Sequence, residues 1–131
     1  MSSSLGNYPG VVSVYLFGSF AEKRAHSESD VDIGVLLDRS EYPAGADRFE
    51  VRVRLAATLE HDLAPRSPDV VILNDAPPTL AARIVSMGQR LVCRDSLLDH
   101  AFRRDIQLRA ADLQPFLRRT RRVKLHSISR P

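Results

Sequence analysis

The sequence predicts an α+β domain, a small mixed sheet backed by helices on one face, and three observations lead there. Short runs rich in β-branched and aromatic residues stop abruptly at turn residues, longer stretches between them repeat apolar residues at steps of three and four, and the two patterns alternate along the chain. Residues 11–17 (VVSVYLF) run into Gly18 and read as a buried strand. Residues 31–37 make a second. Residues 69–73 (DVVIL), bounded by Pro68 and Asn74, make a third, and residues 90–93 a weaker fourth.

Between the second and third strands, Phe49, Val53, Ala56, Leu59 and Leu63 form one apolar helical face. Pro77 and Pro78 suit a helix entry, where a missing amide hydrogen costs little. Leu80, Ile84, Val85 and Met87 supply that helix with an apolar side, and Gly88 ends it. From Ser96 onward, Leu97, Ala101, Ile106, Leu108, Leu113 and Leu117 predict a helical C-terminal region that Pro115 ends or kinks at Gln114.

The 131 residues fit one domain with its own core, with an expected catalytic core over about residues 11–93 and a basic helical region over about 96–131. Cys93 has no partner for an internal disulfide and reads as a small core residue. The four histidines lack a zinc-binding spacing. The first ten residues, MSSSLGNYPG, have neither the basic segment nor the apolar stretch of a signal peptide, and nothing approaches the ~18 apolar residues of a membrane helix. A soluble protein of the reducing cytoplasm, without a membrane partner, is the expectation. The net charge of +3 is uneven: residues 103–131 hold nine Arg or Lys against Asp105 and Asp112, a balance of +7 that leaves −4 for the rest. Such a region can meet RNA, an acidic protein face or only solvent.

The chemistry concentrates in residues 16–38, LFGSFAEKRAHSESDVDIGVLLD. Taken singly, Gly-Ser is an ordinary turn and Asp-x-Asp a solvated strand start. Together they make a site. On an extended chain Asp30 and Asp32 leave the same face with Cα atoms about 7 Å apart, while Val31, Ile33 and Val35 point to the core. Two carboxylates so close repel unless a cation lies between them, and hard oxygen ligands suit Mg²⁺. Gly18 lets backbone approach a ligand, and the amides and hydroxyl of Ser19 can cradle phosphate oxygens.

A nucleoside triphosphate carrying Mg²⁺ would rest its terminal phosphates on Gly18 and Ser19 with its α-phosphate toward the aspartates. Asp69, opening the third strand, is the candidate third carboxylate, as base or metal ligand. Two metals about 4 Å apart would stabilise the attacking and leaving oxygens of nucleotidyl transfer. Asp75 is the nearest competitor of Asp69, and Asp38 reads as a turn residue. Ser29 is the better second support of the loop than Ser27, and Lys23 and Arg24 are candidate triphosphate contacts.

These residues resemble the minimal nucleotidyltransferases of the DNA polymerase β superfamily, whose signature is a Gly-Ser turn followed at fixed spacing by Asp-x-Asp. Gly18, Ser19, Ala21, Ser29, Asp30 and Asp32 fall at the family positions, and DVVILNDAPPTLAARIVSMGQRLVCRD is similar to the family's third-aspartate strand, Pro-led helix and closing strand. The resemblance implies a polymerase β-like fold and an antitoxin encoded beside a HEPN-domain, RNA-cleaving toxin. It implies Mg²⁺-dependent transfer of AMP from ATP to a tyrosine hydroxyl of that toxin within a hetero-oligomer, docked through the basic C-terminal region. Phe20 stands where the family usually has Arg and Lys23 where Gly is common, which would move the phosphate contact to Lys23 or Arg24. The short segment before the first strand implies that the helix often found there is reduced or absent. A non-catalytic antitoxin that blocks the toxin by binding is the alternative; transfer to an aminoglycoside-type small molecule or to RNA ranks below both.

Overall fold

A computed structural model describes the backbone of residues 2–18 and 30–128, with side chains over residues 4–18 and 30–113. After a short helix α1 (Ser2–Gly6), β1 (Val11–Phe17) and β2 (Val31–Leu37) form where the β-branched runs predict them. β3 spans Pro68–Ile72, starting one residue early, and β4 spans Gln89–Cys93. The order is β3-β2-β1-β4; β1 runs antiparallel to both neighbours and β2 parallel to β3, so the sheet is mixed as expected. Cys93 is half-buried on the edge strand.

Helices cover both faces of the sheet rather than one, a correction with its cause in the strands themselves. Val31, Ile33, Val35 and Leu37 pack with Val51, Leu55 and Leu59 of α2 (Gly45–Leu63). Leu36, of opposite parity, packs with Ala81, Ile84 and Val85 of α3 (Pro78–Met87) and Ile106 of α4 (Ser96–Ile128). Central strands apolar at both parities need cover on both sides. A register shift between Val11 and Ser13 lets β1 serve both cores, with Val11 and Val14 toward α2 and Val12 and Tyr15 toward α3. Gly34 permits the approach of α3: a Cβ there would lie 3.0 Å from Ile84 Cγ2 and 3.2 Å from Leu73 Cδ2.

The buried face of α2 is Arg48, Val51, Leu55 and Leu59, whereas Phe49 and Val53 stand 58% and 52% exposed. Arg48 displaces the expected face. Its Nε and Nη2 each donate to Asp75 at 2.9 Å and its Nη1 to the Tyr42 carbonyl at 2.8 Å, so a paired guanidinium occupies a core-facing position that periodicity assigns to an apolar residue. On α3, Pro78 sits in the first turn and the Gly88 amide donates to the Ile84 carbonyl at 2.8 Å, closing the helix as expected. The buried residues are Ala81, Ile84 and Val85; Leu80 and Met87 are exposed. Helix α4 continues through Pro115 to Ile128 instead of ending at Gln114. A proline removes one amide donor, but its fixed φ is itself helical. Of the expected apolar series on α4, Ile106 is buried while Leu97 and Leu108 are exposed, and Leu117 lies outside the described side chains. Among the described residues no helix is long and apolar enough to cross a membrane.

Asp99, 1% exposed, pins α4 to the sheet. Ser13 Oγ donates to its Oδ1 at 2.6 Å, Tyr15 Oη to the same oxygen at 2.7 Å, and Arg90 Nη1 to its Oδ2 at 3.0 Å. Burial pushes the Asp99 carboxyl up, but the three hydrogen bonds and the Arg90 charge together outweigh it and hold it below the ordinary 3.8. A carboxyl lowered on folding adds stability above its unfolded value and loses it as pH falls toward its folded one. Acid titration of the thermal midpoint is therefore expected to fall off below about pH 4, and less steeply in Asp99→Ala. At neutral pH that substitution, which strands two hydroxyls and a guanidinium, is expected to cost about 3–5 kcal/mol by denaturant unfolding.

Candidate functional site

The candidate site forms where β2 begins. Asp32 is the register partner of Phe17 on one side and of Asp69 on the other. Its parity is that of Gly34 and Leu36, so both carboxylates open on the face that α3 and α4 cover further along the sheet. Asp30, exposed and two residues before Asp32, leads into the strand, and the Val31 amide donates to the Ser67 carbonyl at 2.9 Å, carrying the β2–β3 ladder to this end.

Gly18 closes the other side. Its φ is +73°, and a Cβ built on it would lie 2.1 Å from Asp32 Oδ2 and 3.0 Å from Cγ. No side chain fits. The turn after β1 thus lays bare backbone against the Asp32 carboxylate. Ser19, Lys23, Arg24 and Ser29, the other expected nucleotide contacts, lie outside the described residues, as does Phe20.

Burial raises the Asp32 carboxyl above its ordinary value, and the charges of Asp69 and Asp30 and a hydrogen bond shared with Asp69 raise it further. Asp32 and Asp69 adjoin as register partners, and Asp30 acts on Asp32 through its charge. Among the described residues no three His, Cys, Asp or Glu side chains close on one point as a metal-binding group. The donor chemistry nonetheless fits a hard divalent cation: two adjoining carboxylates, a third within range of charge repulsion, and a partly desolvated oxygen that a cation would stabilise. The competing acids are engaged elsewhere. Asp75 is held by Arg48, and Asp38 accepts hydrogen bonds from the Ser40 amide and hydroxyl at 2.9 and 2.7 Å, the turn role expected of it. Nothing in the sequence pattern singles out Asp99 or its pairing with Arg90, because Asp99 and its partners lie on three separate elements, α4, β1 and β4.

The sequence profile described as Polymerase beta, Nucleotidyltransferase matches residues 1–97. The protein adenylyltransferase MntA of Shewanella oneidensis is 33% identical over 85 residues, or 65% of this chain, which spans only 56% of the length of that relative. A chain in the crystal structure of a toxin–antitoxin pair with AMP-PNP superposes with a TM-score of 0.59 at 25% identity, over 93% of this chain and 89% of its own. A chain in the complex of tri-AMPylated Shewanella oneidensis HEPN toxin with MNT antitoxin shares the fold, with a TM-score of 0.53 at 22% identity over 98% of both chains.

Two substitutions probe the site without any substrate. Asp32→Asn removes a desolvated charge facing two like charges, so with a chelator present the thermal midpoint at neutral pH is expected to rise by about 1–3 °C. Gly18→Ala forces a side chain into the Asp32 carboxylate at a positive φ and is expected to lower stability by about 1–3 kcal/mol in denaturant titrations.

Proposed function

The chain belongs to the polymerase β nucleotidyltransferase family, and from that premise we propose that it transfers AMP from ATP to a hydroxyl, a tyrosine by preference, of a HEPN-domain toxin and so neutralises it. The observation that carries the proposal is the pairing of Asp32 with Asp69 on adjacent strands, closed from above by the side-chain-free turn at Gly18. The adenylyltransferase activity named for the 33% identical relative and the AMP-PNP in the toxin–antitoxin crystal structure support the choice of nucleotide. The full set of roles is Asp30, Asp32 and Asp69 in catalysis and metal binding, and Gly18, Ser19, Lys23, Arg24 and Ser29 in binding the triphosphate. The catalytic core is residues 11–93 and the basic helical region residues 96–131 of one domain, working in the cytoplasm in a hetero-oligomer with its toxin.

Mg²⁺ held by Asp30, Asp32 and Asp69 would supply neutralisation of the triphosphate and of the departing pyrophosphate. The bare backbone at Gly18 admits the phosphates to the amide of Ser19, and the cationic side chains of Lys23 and Arg24 offset their charge. The acceptor oxygen then attacks the α-phosphorus, and a new O–P bond forms as the bond to the bridging β-phosphate oxygen breaks. Pyrophosphate leaves with the electron pair, and Asp69 receives the hydroxyl proton.

A second reading, an antitoxin that blocks its partner by binding alone, draws on one observation: among the described residues three carboxylates do not converge. One experiment separates the two. Incubation with α-labelled ATP, Mg²⁺ and the neighbouring HEPN protein is expected to label that protein, with labelling reduced at least ~100-fold by Asp32→Asn. Neutralisation without label transfer, retained in the Asp30→Asn, Asp32→Asn double variant, would establish the binding reading instead.

A further inference from the structure

A concave surface of about 540 Å³ opens where β4 meets the first turns of α4, lined by Arg90, Asp99, His100, Arg103, Arg104 and Gln107. Three guanidinium groups stand there against one carboxylate. That carboxylate is buried and accepts from Arg90, Ser13 and Tyr15, and Arg103 Nη1 donates to Tyr15 Oη at 3.4 Å while stacking over its ring at 6.0 Å. Two of the arginines are thus held in place by neutral or already paired groups. Arg104 and His100 are exposed, and their side chains have no hydrogen bond or ion pair among the described residues.

The groove shares a sheet face with the aspartates. Arg90 is the register partner of Tyr15, and Tyr15 has the parity of Phe17, which faces Asp32. Two strand spacings across and two residues along put Arg90 about 12 Å from Asp32. An extended peptide covers that distance in about three to four residues.

We propose that this groove binds an acidic segment of the protein that accepts the nucleotide, seating Asp or Glu side chains about three to four residues from the acceptor hydroxyl. The proposal rests on the transfer reading for its acceptor. Guanidinium forks match carboxylates in bidentate pairs, and arginines already positioned by Asp99 and Tyr15 lose little freedom on binding. Among the described residues lining the groove His100 alone carries an aromatic ring, so beyond it and the guanidinium planes single-stranded RNA finds no surface on which to stack its bases. A surplus of positive charge beside the acidic pair also orients an incoming chain, acidic residues to the groove and neutral hydroxyl to the aspartates.

Fluorescence anisotropy with the full chain, a labelled hexaglutamate peptide and a labelled hexaadenylate RNA tests the groove without ATP. The peptide is expected to bind more tightly than the RNA, and Arg104→Glu to weaken it about tenfold. Arg54→Glu, an equal charge reversal on α2 at the opposite sheet face, is expected to match the unsubstituted chain. Tighter binding of the RNA, or equal effects of the two reversals, would overturn the proposal. Transfer kinetics separate its failure from that of the function itself: label transfer with the same acceptor KM in Arg104→Glu as in the unsubstituted chain overturns the groove. Absence of label transfer with Arg104-dependent peptide binding intact sinks the transfer reading and supports an acid-binding groove.

Discussion

Strand β2 is hydrogen-bonded along both edges, antiparallel to β1 and parallel to β3, and that double register is the constraint on which the site depends. It sets Asp32 opposite Asp69 on one side and opposite Phe17, one residue before the Gly18 turn, on the other. Because strand side chains alternate, a slip of one residue would turn Asp32 into the α2 core and Ile33 out to the phosphate turn. The apolar residues Val31, Ile33, Val35 and Leu37 forbid the slip, all of them buried against α2. The core thus holds the aspartate face by holding its opposite.

Polar contacts secure the frame at points where apolar packing alone would leave freedom. At the far end of β2, Asn74 pairs with the Leu37 backbone in both directions, its Nδ2 donating to the carbonyl and its Oδ1 accepting from the amide, both at 2.9 Å. Arg48 ties α2 to the loop after β3 through Asp75, and Asp99 ties α4 to β1 and β4. Each buried charge has its partners, which offsets the desolvation that would otherwise make it a liability. The site is the contrary case. Asp32 is desolvated and faces like charges, an arrangement that weakens the fold and that a cation would stabilise.

The basic character of the chain divides in the same way. Arg48 and Arg90 are drawn into structure by Asp75 and Asp99, whereas Arg104 and His100 stay at the surface. The acids at the head of β2 and the surplus arginines around β4 and α4 thus make two patches of opposite charge.

Strand positions and the aspartate pair were legible because each rests on local spacing: β-branched runs ending at Gly18 or Asn74, and two acids separated by a single residue. The strong turn signals at Pro77, Pro78 and Gly88 likewise mark α3 from sequence alone. The helix faces were less legible. Val51 and Leu55, rather than Phe49 and Val53, meet the sheet because a paired Arg48 sits on the buried side, and no periodicity counts an arginine as core. Two-sided cover of the sheet is written in Leu36 beside Leu37, yet such a doublet reads equally well as one thick apolar run. By itself, then, the sequence determined the strands and the helices between them and which acids lie close along the chain, since those depend on neighbours along the chain. Only the tertiary structure decided that Asp69 rather than Asp75 meets Asp32 and that Asp99 gathers Ser13, Tyr15 and Arg90, because those choices depend on strand register and on partners up to 86 residues apart.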